Sequence, residues 1–211
     1  IAVMVNRVLT ARLVHHRLTQ DGHDAVLLTG RMRPIDRDDA VRGRLEALKT
    51  GKEPRAFRRP LFVVATQCLE VGADLDFDAL VTECASLDAL RQRFGRLNRA
   101  GRPMEARAAI VVRADQTDTE KGDDPVYGEA LTATWQWLVH HSQDMTIDMG
   151  FEAMERLLGA ARERGDSLDR LLAPTKDAPV MLPSHVDCWS QTSPPPLPAP
   201  DVAVFLHGPE R

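Results

Sequence analysis

The 211-residue chain has three cysteines, Cys68, Cys84 and Cys188, widely spaced and without a C-x-x-C pair. That is too few for a disulfide framework and lacks zinc spacing, so a reducing cytoplasm is expected. Aromatic residues make up only 5%, so aliphatic side chains must build the core. No apolar run approaches the length of a membrane span, and no signal-peptide pattern opens the chain. Lysine is scarce: 4 residues against 23 arginines. There is no G-x-x-x-x-G-K-[ST] phosphate loop. Gly51-Lys52-Glu53 lacks the upstream glycine, the magnesium-binding hydroxyl and a preceding apolar strand. A D-E-x-H box is missing too. The chain opens at Ile1 directly in an apolar run, which reads as a piece of a longer protein.

What remains is ordinary globular composition, 43% hydrophobic and 27% charged. The formal net charge of −4 is unevenly spread. Residues 1–113 hold 20 Lys+Arg against 14 Asp+Glu, and residues 114–211 hold 7 against 17. GC-rich codon usage explains many arginines, but not why 18 of the 23 fall in the first half. Arginine's planar fork suits phosphate, so the basic half is a candidate for nucleotide or nucleic acid.

The pattern predicts strands at Ile1–Val5, Ala25–Leu28, Leu61–Thr66, Asp78–Thr82 and Arg107–Arg113. It predicts helices over about Arg7–Gln20, stopped by Gly22, over Asp36–Leu48, and over Leu87–Leu97. Strands alternating with helices imply a parallel α/β sheet with right-handed crossovers. After an acidic connector, Val126–His141 and Phe151–Arg164 read as amphipathic helices, and the chain from Pro179 reads as loop, ending in a proline-rich stretch. The expected organisation is a lobe over 1–113, a linker and helical extension over 114–178, and a loop-like segment over 179–211 that starts a further domain.

The chemistry concentrates in residues 63–102. A buried strand ends at Thr66, and ligand sites in parallel sheets lie beyond the carboxyl ends of strands. Gly72 and Asp74 follow: a close-approach backbone position, then a carboxylate able to accept ribose hydroxyls. In Gln92-Arg93-Phe94-Gly95-Arg96-Leu97-Asn98-Arg99 a continuing helix would put Gln92, Arg96 and Arg99 on one face, a polyphosphate-reading arrangement. Asp76 and Asp78 read as capping or turn residues. Glu70 either orients this segment or bonds a neighbouring arginine. His23-Asp24 reads as a turn, and His15, His16, His140 and His141 as surface or groove residues; no metal ligands are expected. Trp135 and Trp137 are candidates for base stacking or for core packing.

Ala65-Thr66-Gln67…Glu70…Gly72…Asp74, followed by Gln92-Arg93-Phe94-Gly95-Arg96-Leu97-Asn98-Arg99, resembles motifs V and VI of superfamily 2 helicases. The glutamine form, with Leu80-Val81-Thr82-Glu83, resembles the CRISPR-associated helicase–nuclease of type I systems. Ile1–Asn6 with Ala11 resembles motif IV, and Gly30-Arg31 with Asp36-Arg37 the segment after it. The tail, Leu182–Asp187, Gln191–Pro194 and Phe205–Pro209, is similar to the subtype once called U, now G.

The resemblance implies a RecA-like helicase C-terminal lobe of the P-loop NTPase type, with a mainly helical and loop-like C-terminal extension. It implies that Arg96 and Arg99 are arginine fingers for the ATP γ-phosphate, placed with help from Gln92. Gly72 and Asp74 would contact the nucleotide. Thr66 would contact single-stranded DNA, as would Arg31, although Thr29-Gly30-Arg31-Met32-Arg33 stands where a His-Ser-Arg-Phe type stretch is expected. The implied cofactors are ATP and Mg2+, with the Mg2+ ligands outside this chain. The implied partners are single-stranded DNA, a first RecA-like lobe, an HD nuclease and a CRISPR RNA-guided surveillance complex. Alone, such a lobe would not hydrolyse ATP. The alternatives are a lobe of another superfamily 2 DNA or RNA helicase, or a non-catalytic nucleic-acid-binding module.

Overall fold

The computed structural model describes residues 1–30, 32–52, 57–70, 74–117, 124–174, 180–191, 202 and 205, with the side chains of 34, 37, 38 and 41 excepted. Its contacts gather into two compact units, Ile1–Ala173 and Pro174–Arg211.

The first unit holds one five-stranded sheet made of β1 (Ala2–Met4), β2 (Asp24–Leu28), β3 (Leu61–Ala65), β4 (Ala79–Glu83) and β5 (Arg107–Val111). The order is β2-β3-β1-β4-β5, and every pairing is parallel. The register pairs Met4 with both Ala65 and Thr82, so the carboxyl ends of β1, β3 and β4 align.

Alternation along the strands sends successive side chains to opposite faces. Ala2, Met4, Val26, Leu28, Val63 and Ala65 join Leu45, Leu48, Leu75 and Phe77 on one face. Val3, Val5, Leu27 and Val64 pack on the other against Ala11, Val14 and Leu18 of α1 (Val8–Gln20). Burial on both faces explains why the central strands read as continuous apolar runs. Gly22, at φ +79°, ends α1: the His23 N–H reaches the Leu18 carbonyl at 2.9 Å, a closure that needs left-handed backbone just before it.

The expected helix over Asp36–Leu48 is instead three short pieces: α2 (Pro34–Ala40), a wide turn at Val41–Leu45 and a tight turn at Glu46–Leu48. Gly43, a poor helix former, falls inside the widened turn. The expected helix from Leu87 also stops early, with α3 spanning Leu87–Phe94.

Beyond β5, α4 (Glu129–His141) and α5 (Phe151–Glu163) stay packed on the lobe. Leu131 and Leu138 meet Ala89 and Leu90 of α3, while Met154 and Leu158 meet Leu87. The Asp88 carboxylate accepts the Ala173 N–H at 3.0 Å. Trp135 and Trp137 are half-buried in these clusters. In the second unit α6 spans Pro183–Ser190, so the expectation of loop throughout 179–211 is corrected there. Pro183 stands in its first turn, where a missing N–H costs nothing. Phe205 packs edge-on to Trp189 at 5.3 Å between ring centroids. The proline-rich stretch lies outside the described residues. No helix among the described residues is long and apolar enough to cross a membrane.

Candidate functional site

Two arginine groups grow from the segment 91–102, and they differ in kind. The first is Arg93 alone. On α3 it lies three residues after Leu90, hence on the same buried stripe. Its side chain is wholly buried at the aligned carboxyl ends of β1, β3 and β4.

A buried guanidinium must satisfy all five of its N–H donors, and this one does. Nε donates to Glu70 Oε1 at 2.8 Å. Nη1 donates to Thr82 Oγ1 at 2.8 Å and to the Glu83 carbonyl at 3.0 Å. Nη2 donates to Asn6 Oδ1 and to the Tyr127 hydroxyl, both at 2.9 Å. Asn6 is itself fixed: its N–H donates to Glu83 Oε2 at 2.6 Å, and its amide donates to the Cys84 carbonyl at 2.7 Å. Gln67 closes the ring by donating to the Asn6 carbonyl at 3.1 Å.

Burial raises the Glu70 carboxyl above its ordinary range, opposed by the attraction of Arg93. Burial likewise raises the Tyr127 phenol and pushes the Cys84 thiol up to about 12. The question left open for Glu70 is thereby answered at the side chain: it bonds a neighbouring arginine.

The second group begins where α3 ends. Gly95 caps the helix, and a Cβ there would press the Arg91 and Gln92 carbonyls at 3.3 Å. The chain then runs beside the segment leading into β4. The Phe77 N–H donates to the Arg96 carbonyl and the Asn98 N–H to the Phe77 carbonyl, each at 2.8 Å. That pairing competes with a further helical turn and wins, so Gln92, Arg96 and Arg99 do not share a helical face. Gln92 is left exposed on α3.

Arg96 and Arg99 instead leave a non-helical turn anchored by Asp76. The Asp76 carboxylate is fully buried, accepting the Arg99 N–H at 2.8 Å and Arg102 Nε at 3.1 Å. Asn98 adopts φ +45° and exchanges hydrogen bonds with Arg102 at 2.9 and 3.0 Å.

The side chains of this group keep spare donors. Arg99 Nη1 lies 3.5 Å from Asp74 Oδ1, with both side chains substantially exposed. Arg96 Nη2 donates to the Glu70 carbonyl at 2.8 Å, while its buried Nε meets no acceptor among the described residues. Burial lowers the Arg96 pKa, and the charge of Arg99 lowers it further. Two guanidiniums and a carboxylate so placed fit the phosphate and hydroxyl groups of a nucleotide. Among the described residues no cluster of three or more His, Cys, Asp or Glu side chains is placed to hold a metal ion.

Thr66 is buried just past β3, its Oγ1 4.0 Å from Cys68 Sγ. Gly72 and Arg31 lie outside the described residues. Sequence reasoning did not single out Arg93, Gln67 or Tyr127 as site residues. The three-residue spacing of Arg93 from Leu90 was the available signal. Tyr127, the one tyrosine of the chain, carried none.

An all-parallel α/β sheet in this strand order defines a RecA-like lobe. Residues 1–102 match the family model described as CRISPR-associated nuclease/helicase Cas3, C-terminal. That match covers 102 of the 211 residues. The chain is 38% identical over 131 residues to a CRISPR-associated endonuclease/helicase Cas3 of Thermus thermophilus, covering 58% of this chain and 14% of the relative. It is 36% identical over 91 residues to a CRISPR-associated nuclease/helicase Cas3 of Streptococcus thermophilus, covering 40% and 10%. It therefore spans only a small part of these relatives' length. In fold it resembles the crystal structure of T. fusca Cas3, with a TM-score of 0.54 and 21% identity over 78% of this chain and 22% of that one. The same protein has been solved with ADP and with ATP, and those structures match with TM-scores of 0.53 and 0.52.

Proposed function

We propose that this chain is the second motor lobe of an ATP-dependent single-stranded-DNA translocase that acts with a nuclease in CRISPR interference. The observation that carries this reading is the pair of guanidiniums Arg96 and Arg99, carried on one anchored turn with the Asp74 carboxylate 3.5 Å from Arg99.

In this reading Arg96 and Arg99 reach the γ-phosphate when a first RecA-like lobe closes on ATP, and Gln92 helps place them. Charge spreads over the phosphate oxygens in the transition state, so cations held in position there contribute most of what a protein can. Gly72 and the Asp74 carboxylate take the nucleotide, Asp74 at a ribose hydroxyl; it then exchanges its Arg99 partner for the ribose. Thr66 and Arg31 contact the DNA strand. The other lobe supplies the phosphate loop and the Mg2+ ligands, so this lobe alone does not turn over ATP. Residues 1–113 form the motor lobe proper, 114–178 its linker and helical extension, and 179–211 the start of a further domain. Its partners are an HD nuclease and an RNA-guided surveillance complex in the cytoplasm.

The test is ATP turnover by the assembled motor, with and without single-stranded DNA, for wild type and Arg99→Ala. Losing a γ-phosphate finger costs on the order of three decades in kcat. A DNA-stimulated rate that collapses in the variant supports the motor. A rate indifferent to DNA and to Arg99 favours a binding module.

A further inference from the structure

Glu70 touches both arginine groups, through different atoms. Its side-chain Oε1 accepts Arg93 Nε at 2.8 Å. Its backbone carbonyl accepts Arg96 Nη2 at 2.8 Å. The carboxylate is therefore held by a guanidinium that cannot move without breaking four further hydrogen bonds, one each to Asn6, Thr82, Glu83 and Tyr127. The carbonyl in turn holds a guanidinium with far fewer contacts than Arg93 among the described residues. Arg96 follows the last helical residue by two, its Nε meets no acceptor among the described residues, and Arg99 repels it. Left to itself, such a side chain would spread over several rotamers, each immobilisation costing conformational entropy.

We infer that Glu70 is a positioning residue for Arg96. Arg93 fixes the Glu70 carboxylate, that tether fixes the Glu70 carbonyl, and the carbonyl sets the direction of the Arg96 guanidinium before any phosphate arrives. Preorganising a cation in this way counts in the chemical step rather than in nucleotide binding, because the ordering has been done in advance. The inference rests on the reading of Arg96 as a γ-phosphate finger. It adds that the Arg93–Glu70 ion pair governs how well the finger works.

Glu70→Gln tests it. This substitution keeps the shape and an acceptor for Arg93 but removes the charge. In the assembled motor it should lower kcat for ATP by roughly tenfold, with KM for ATP changed far less. In an Arg96→Ala background the same substitution should cost nothing further, because the finger it positions is gone. A purely structural Glu70 would lower activity by the same factor in both backgrounds, and that result overturns the inference. So does a Glu70→Gln motor as fast as wild type, or faster, as a residue that parked the finger would give. If Arg96→Ala itself turns over normally, the motor reading fails instead. The geometric half is then decided in the 211-residue chain by the NMR signal of the Arg96 side-chain Nε–H. Glu70→Gln should shift that signal and speed its solvent exchange, while the Arg93 signal stays protected. An unmoved Arg96 signal overturns the positioning claim.

Discussion

Arg93 and Arg96 are three residues apart, carry the same side chain and face different physical problems. Arg93 spends all five donors on the protein and has nothing left for a ligand. Among the described residues, the side chains of Arg96 and Arg99 make one polar contact each, to the Glu70 carbonyl and to Asp74. Desolvating a charge is costly, and the cost is bearable only where partners already stand in place. Arg93 meets that condition at the joined ends of three strands. The turn at 95–99 does not, so its arginines stay near water, available to an anion. Donor satisfaction, rather than residue type, separates the structural arginine of this motif from its candidate ligand arginines.

Four outcomes would break or sharpen that contrast. The dryness of the Arg93 region is reported by Cys84, whose carbonyl accepts the Asn6 amide. With its thiol pushed from 9.0 up to about 12, it should be alkylated about a thousandfold more slowly in the folded chain than in the unfolded one at pH 8. The sign follows from the raised value. Stability from this thiol is intact below pH 9 and is lost as the pH climbs from 9 toward 12. Alkylation followed by mass spectrometry, with and without urea, checks the rate.

Arg93→Ala strips the partner from the largely buried Glu70 carboxylate and the donor from Asn6 Oδ1. It should lower unfolding stability by about 3–5 kcal/mol in urea titration. Asp76→Ala frees the Arg99 N–H and Arg102 Nε from a buried acceptor, and about 1–3 kcal/mol should be lost. Arg99→Ala removes an exposed pair with Asp74, and its stability effect should stay within about 0.5 kcal/mol. A stability loss for Arg99→Ala comparable to that of Arg93→Ala would erase the distinction between the two groups.

Much of this was legible in the sequence. The five strands were, because burial on both faces writes uninterrupted runs such as Leu61–Ala65. Their ends differ from expectation by one or two residues. The positions of Arg96 and Arg99 were legible as a motif but not as geometry. Helical periodicity gives no warning that Phe77 will capture the Arg96 and Asn98 backbone, since that pairing joins residues about twenty positions apart. The Arg93 network was least legible for the same reason. Its members come from positions 6, 67, 70, 82, 83, 93 and 127, and only the fold brings them together. Nor did the turn of charge after residue 113 foretell that α4 and α5 would pack with α3.

The most direct test of the contrast is paired urea unfolding of Arg93→Ala and Arg99→Ala in the 211-residue chain, each against wild type. A large fall in midpoint for Arg93→Ala beside an unchanged midpoint for Arg99→Ala is the predicted result. Equal midpoints for the two variants would contradict it.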